Sequence, residues 1–149
     1  MEPFNLYFLD TVQNRYAQFT GRATRSEFWY FMLFSMIISI ILSILDGALG
    51  TGYTYDIAEV ALETTSVAAA SVTTEQTIGY MSTLYSFTIL IPTIAVSIRR
   101  LHDSGKSGWW LLIGIIPIVN FIGIFVLIYF YIKDSQPDEN SYGENPKVL

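Results

Sequence analysis

Residues 99–110 read RRLHDSGKSGWW. Two arginines, the single histidine, an aspartate, a lysine and a tryptophan pair stand here between two long apolar runs. A short loop at a membrane surface has this make-up: its cations stay in water and its indole rings settle at headgroup depth. The stretch decides the fold, because it turns the runs on either side of it into membrane spans.

Working outward, residues 78–98 carry no charge over 21 positions and residues 109–132 carry none over 24. A third uncharged run, residues 28–45, lies earlier in the chain. A hydrocarbon core of about 30 Å takes about 20 helical residues at about 1.5 Å each, so each run is long enough to cross. The composition agrees. Of 149 residues, 52% are hydrophobic, 15% aromatic and only 14% charged, with a mean hydropathy of +0.42. A water-soluble domain carries about 25% charged residues. Too few charges remain to cover a wetted surface, so much of the surface must face lipid. The length suits one unit, residues 1–149. The expected fold is all-α: an integral membrane three-helix bundle with an N-terminal amphipathic interfacial helix.

The first span begins at a capping box, Thr24-Arg25-Ser26-Glu27, in which the Thr24 hydroxyl accepts the Glu27 N–H and the Glu27 carboxylate reaches back to Thr24. Trp29 lies at the start of the run, as Trp109 and Trp110 do for the third, and all three serve as interface anchors. Ser35, Ser39, Ser43 and Gly47 recur every four residues and form a small-residue ridge for close helix packing. In the second span Ser82, Ser86, Thr93 and Ser97 fall within about 60° of arc, and Pro92 should kink the helix and free the Thr88 carbonyl. The third run is interrupted by Gly114, Pro117, Asn120 and Gly123. Its halves are too short to cross separately, which favours one kinked or tilted crossing over a hairpin and leaves re-entrance open. Asn120 is its one strongly polar side chain and serves either to bond across helices or to relieve carbonyls freed by Pro117.

Upstream, Phe4, Phe8, Val12, Tyr16 and Phe19 share one side of a helix over about residues 3–20. That stripe suits a helix lying in the interface or one packed against the spans. Residues 46–77 form a polar connection with five acids and no lysine or arginine. There Ile57, Val60, Ala61, Thr64, Val67 and Ala68 trace a helical face, capped by Thr54 or Asp56, and a loop is the alternative. Residues 133–149 are a polar tail.

Orientation follows the lysines and arginines of the flanks. Arg15, Arg22 and Arg25 precede the first span, Arg99, Arg100 and Lys106 lie between the second and third, and the 46–77 connection has none. The expectation is a multi-pass protein of the bacterial inner membrane with a cytoplasmic N-terminus, an extracytoplasmic 46–77 loop and the tail outside.

That topology gathers Arg22, Arg25, Arg99, Arg100, His102 and Lys106 on one rim, with Glu27 and Asp103 as structural ion-pair partners. Arginine's planar fork suits phosphate, so anionic lipid headgroups or an acidic partner are candidate ligands. Cations that merely snorkel and pair are the other reading. Several chemistries are excluded. Lys106-Ser107 is not a phosphate loop, because Arg100 stands where the first glycine belongs. His102, Asp103 and Ser104 are consecutive and cannot stack as a relay. With one histidine and no cysteine, neither a metal nor a disulfide is expected. Eight basic residues without an extended basic face give no nucleic-acid site.

The segments GRATRSEFW (21–29), RRLHDSGKSGWW (99–110) and ENSYGENP (139–146) resemble the signatures GRxxRxEFW, RRLHDxxxSGWW and GxNxYGxxP of the DUF805 family of small bacterial inner-membrane proteins. The resemblance covers nearly the whole chain. The tail lacks the glycine before Asn140, and the acidic 46–77 connection is long for the family. The resemblance implies a multi-span membrane protein of undetermined function and supplies no catalytic residues, and no cofactor is expected. The expected function is non-enzymatic binding of membrane lipids, anionic ones included, or of a membrane-protein partner or second copy. The alternative is an oligomeric transport or pore subunit lined by Ser82, Ser86, Thr93 and Ser97.

Overall fold

The computed structural model describes residues 2–56, 75–114, 116–117 and 119–147. It is mostly helical. Helix α1 is a π-wound segment, Phe4–Leu9, running into an α-helical turn, Asp10–Gln13. Helix α2 spans Arg25–Leu49, strands β1 and β2 are Gly52–Asp56 and Glu75–Gly79, and α3 spans Tyr80–Asp103. A 3-10 helix, Gly108–Gly114, precedes α4, Asn120–Ile132. The chain divides into two compact units, Met1–Met36 with Ile89–Leu149, and Ile37–Thr88. Helices α2 and α3 contribute residues to each.

Among the described residues two helices, α2 and α3, are long and apolar enough to cross a bilayer. Only 11% of the apolar window of α2 and 22% of that of α3 are buried. A core helix of a soluble protein is mostly buried, so these faces are built for an apolar surrounding. On α2, Leu33, Met36, Ile37, Ile40, Ile41 and Ile44 are all exposed.

The third span differs from the expected continuous crossing, and a three-helix bundle is not confirmed. At 13 residues α4 is about 20 Å long, short of the hydrocarbon thickness, and the seven-residue 3-10 helix is shorter still. The two pieces fold back on one another. A Cβ added at Gly123 would meet Ile113 Cγ2 at 2.1 Å and its carbonyl at 2.9 Å, and Trp110 meets Phe130 edge to face at 5.4 Å. Pro117 carries no N–H, so the ladder breaks there, and the missing side chain of Gly123 admits the opposing backbone. Leu101, Leu127 and Phe130 form the buried cluster beneath, with Leu111, Val126 and Tyr131 packed against it.

The N-terminal helix also departs from expectation. It stops at Gln13 rather than running to residue 20, and Phe4 and Phe8 pack on α2 instead of facing headgroups. Phe4 meets Phe34 edge to face at 5.1 Å, Phe8 stacks on Phe31 at 5.6 Å, and Tyr7 lies parallel to Tyr30 at 5.3 Å. Aromatic pairing adds to burial, and this favours packing over an interfacial position.

In the second unit, β1 pairs antiparallel with β2 from Gly52↔Gly79 to Asp56↔Glu75. The all-α expectation is corrected by these strands, whose Tyr, Thr and Ile residues favour extended backbone. Ile78 belongs to β2 and not to the second span, and Thr54 and Asp56, read as helix caps, are strand residues. The helical face read over Ile57–Ala68 lies outside the described residues.

Asp46 ends the uncharged run, yet it is 2% exposed. Its carboxylate accepts the Thr51 hydroxyl at 2.7 Å and the N–H groups of Met81 and Ser82 at 3.1 and 2.8 Å. One residue of α2 therefore satisfies donors in the first turn of α3, which that helix cannot satisfy itself. A Cβ at Gly79 would sit 2.0 Å from that carboxylate, so only glycine leaves room for the cap.

Candidate functional site

The first unit gathers residues from three separated segments around two carboxylates. Thr24 starts α2 as read, its hydroxyl accepting the Glu27 N–H at 3.1 Å. The reciprocal half of the capping box does not form. Glu27 is buried and turns to arginines instead: Arg99 Nη1 lies 2.5 Å from Oε1, and Arg15 Nη1 3.2 Å from the same oxygen. A buried carboxylate gains more from cations than from a backbone N–H. Arg15 also donates from Nε to Asp10 at 2.6 Å. The Asn14 amide, 2.9 Å from Asp10, and then Arg15 hold that carboxyl below its usual value, against the opposing effect of desolvation. Arg99 Nε and Nη2 are buried without a hydrogen-bond partner among the described residues.

The second carboxylate, Asp103, is fully buried. Arg22 Nε donates to Oδ1 at 3.0 Å, and Arg100 Nη1 donates to Oδ2. The remaining donors of these arginines go to backbone carbonyls. Arg100 reaches Tyr131 at 3.1 Å and Lys133, Arg25 reaches Ile132 at 3.3 Å, and the Ser104 hydroxyl reaches Phe130 at 2.8 Å. Those carbonyls end α4, where no intrahelical donor exists. Arg22 extends into the tail, donating to Gln136 O at 2.6 Å, Asp138 O at 2.9 Å and Gly143 O at 3.2 Å.

Arg22, Arg99 and Arg100, expected on a rim for anionic headgroups, lie inside, at 7%, 1% and 0% exposure, with their charges on Glu27 and Asp103. His102 is half-buried. Its Nδ1 lies 3.2 Å from the Gly21 carbonyl, and its ring stacks on Tyr142 at 3.8 Å. Asn140 ties the tail to the His102 carbonyl at 3.0 Å. The tail thus lies at the same end of the molecule as residues 15–27 and 99–106, which corrects its expected placement across the bilayer.

Of the arginines and lysine expected as binding residues, Arg25 and Lys106 are not buried. The Arg25 side chain is 43% exposed and meets the exposed Asp134 at 3.2 Å. The Lys106 ammonium stands over the rings of Trp110 and Phe130, at 5.8 and 5.4 Å. Arg25 heads a groove of about 310 Å³ lined by Ser26, Trp29, Tyr30 and Leu33. A second groove, of about 460 Å³, runs between Phe19, Ile98, His102 and the exposed Trp109. Of the three anchors, Trp109 is 77% exposed, Trp29 44% and Trp110 37%.

The polar ridges of the two helices are used differently. Ser86, Thr93 and Ser97 donate to the carbonyls four residues earlier in α3, and Ser82 donates to Gly79 O. On α2, Ser35 and Ser39 are half-buried, whereas Ser43 is exposed and a Cβ at Gly47 would meet nothing within 4 Å. Asn120 Oδ1 is buried without a hydrogen-bond partner among the described residues. Sequence reasoning missed the roles of Asp46, Arg15 and the tail carbonyls. Only Asp46, a lone acid at the end of an apolar run, carried a signal.

The chain is 33% identical over 142 residues to inner membrane protein YhaH of Escherichia coli (strain K12), covering 95% of this chain and 97% of that protein. It is also 33% identical over 141 residues to inner membrane protein YhaI of the same organism, covering 95% of each. No solved structure matches. Residues 16–144 match the family described as "Protein of unknown function (DUF805)". With that match and these relatives, the chain is a membrane protein and belongs to the DUF805 family.

Proposed function

We propose that this protein is a non-enzymatic inner-membrane protein that binds anionic lipid headgroups at its arginine-bearing end, and that this end faces the cytoplasm. The orientation is supported by charge. All eight lysines and arginines, from Arg15 to Lys147, belong to the first unit, and residues 37–88 contain none. Lysine and arginine collect on the cytoplasmic side, so the N-terminal segment, the 99–108 turn and the tail are cytoplasmic together.

The observation that carries the binding reading is the groove headed by Arg25. A guanidinium at one end suits a phosphate, the Trp29 and Tyr30 rings suit the glycerol depth, and Leu33 suits an acyl chain. Lys106 offers a second cation. Arg99 and Arg100 hold the frame. Ser43 and Gly47 lie open on α2 and would be met by a second copy or another membrane protein.

The test is mass spectrometry of lipids that co-purify with the wild type and with Arg25→Glu/Lys106→Glu. The variant should insert normally and lose anionic lipids selectively. Unchanged lipid retention would sink the reading, and co-purification of an acidic protein in place of lipid would redirect it.

A further inference from the structure

We propose that Arg22 and Arg25 form a latent site for a phosphate group, and that residues 134–147 occupy it as a releasable strap. The proposal rests in part on reading Arg25 as a headgroup residue.

Arg22 has only its Nε committed to a charge, Asp103. Its two terminal nitrogens donate to three neutral oxygens of the strap, the carbonyls of Gln136, Asp138 and Gly143. Arg25, three residues along the same chain segment, meets the Asp134 carboxylate. Four strap oxygens thus fill donors on two guanidinium groups that stand three residues apart in sequence. The Arg22 bonds to carbonyls are already charge-assisted through their donor. A phosphate adds its own charge and matches the guanidinium fork at two points, so it has the advantage over the carbonyls at Arg22.

The strap is also negatively charged. Asp134, Asp138, Glu139 and Glu144 outweigh Lys147, four against one. An anionic membrane surface repels such a segment while attracting the arginines beneath it. Apart from the arginine bonds, the strap is fastened by the Tyr142 ring on His102, Asn140 to the His102 carbonyl at 3.0 Å and the Gln136 N–H to the Asp103 carbonyl at 3.2 Å. Ser135 is buried and the Gln136 side chain packs on Gly105. The frame survives release, because Arg100 holds Asp103 and the end of α4 independently of the strap.

Hydrogen exchange of residues 134–147 tests this in the full chain. It is compared in nanodiscs of phosphatidylcholine, in discs with added phosphatidylglycerol, and in neutral discs with inorganic phosphate. Exchange should rise by about tenfold or more in the anionic discs. The same rise with inorganic phosphate identifies the phosphate group as ligand; a rise confined to anionic discs identifies the lipid. Unchanged exchange in both arms overturns the strap. Tyr142→Ala should retain phosphatidylglycerol about tenfold more tightly, and equal retention also overturns it. The wild-type exchange measurement stands should that variant not fold. Lipid retained by the wild type with the strap unmoved leaves the Arg25 groove reading intact and sinks only the strap. Release by inorganic phosphate without lipid retention does the reverse.

Discussion

The imidazole of His102 lies flat on the phenol ring of Tyr142, centroids 3.8 Å apart and planes 3° from parallel. A residue at the end of α3 cannot stack on a tail residue across a bilayer. The chain between them must return to the side it left. The chain contains no cysteine, so single cysteines at two exposed sites, Gln18→Cys and Ser141→Cys, report this directly. Both should react with an impermeant maleimide only in inside-out vesicles. Labelling of the two from opposite faces would show that the third run crosses.

Asp103 holds Arg22 and Arg100 with its two oxygens, and all three side chains are buried. Asp103→Asn removes the charge and leaves two buried cations facing one amide. Breaking a buried pair costs about 3–5 kcal/mol. Thermal unfolding in detergent should show a loss of that order, with protease cleavage of the tail before the helices. An unchanged melting temperature would mean that the network contributes specificity and no stability.

Asp46 caps α3 from another helix. Asp46→Ala should cost about 1–2 kcal/mol, the range for losing a capping side chain, and should speed exchange of the Met81 and Ser82 amides. Gly79→Ala should do the same by displacing the carboxylate, whose Oδ2 would lie 2.0 Å from the new Cβ. Protected amides in both variants would refute the cap.

Gly123 admits Ile113. Gly123→Ala should destabilise the packing of the 3-10 helix on α4 by about 1–3 kcal/mol through overpacking. Ile113→Ala in that background should restore only part of the loss, because the Ile113 carbonyl, 2.9 Å from the added carbon, cannot be removed. Full restoration would show that the backbone contact is not close.

The outer fastening of the tail is pH-dependent. Lys147, donating to Asp134, holds that carboxyl below its ordinary value of 3.8, and the Ser135 N–H adds to the effect. A depressed pKa means the pairing of Asp134 with Lys147 and Arg25 is present above the ordinary value and disappears as pH falls through the folded one. Exchange of the tail should therefore hold steady near neutrality and rise only in acid. Asp134→Asn should remove that acid step, and an unaltered step would assign it to another carboxylate.

Much of the plan was legible in residue order. Three uncharged runs of helical length led to three expected spans, since burying charge in hydrocarbon is costly wherever it falls. Two of the three form helices long and apolar enough to cross. Thr24 shows where α2 begins, because a cap acts within one turn. The interruptions at Gly114, Pro117 and Gly123 marked the third run as irregular. They did not decide between a kink and a fold-back, because that depends on which side chain the gap at Gly123 receives. Charge alone could not sort the arginines: Arg22 and Arg25 stand three residues apart, yet one is buried on Asp103 and the other half open to water.

By itself the sequence determined membrane residence and the family, since hydropathy and signature residues are local properties of the chain. The tertiary structure alone decided that the tail returns to the arginine-bearing end, that Asp46 caps a neighbouring helix, and that three of the arginines are buried on carboxylates. Each of these depends on a donor meeting an acceptor from a distant segment. Arg22 and Asp103 are 81 positions apart, and no spacing rule reaches that far.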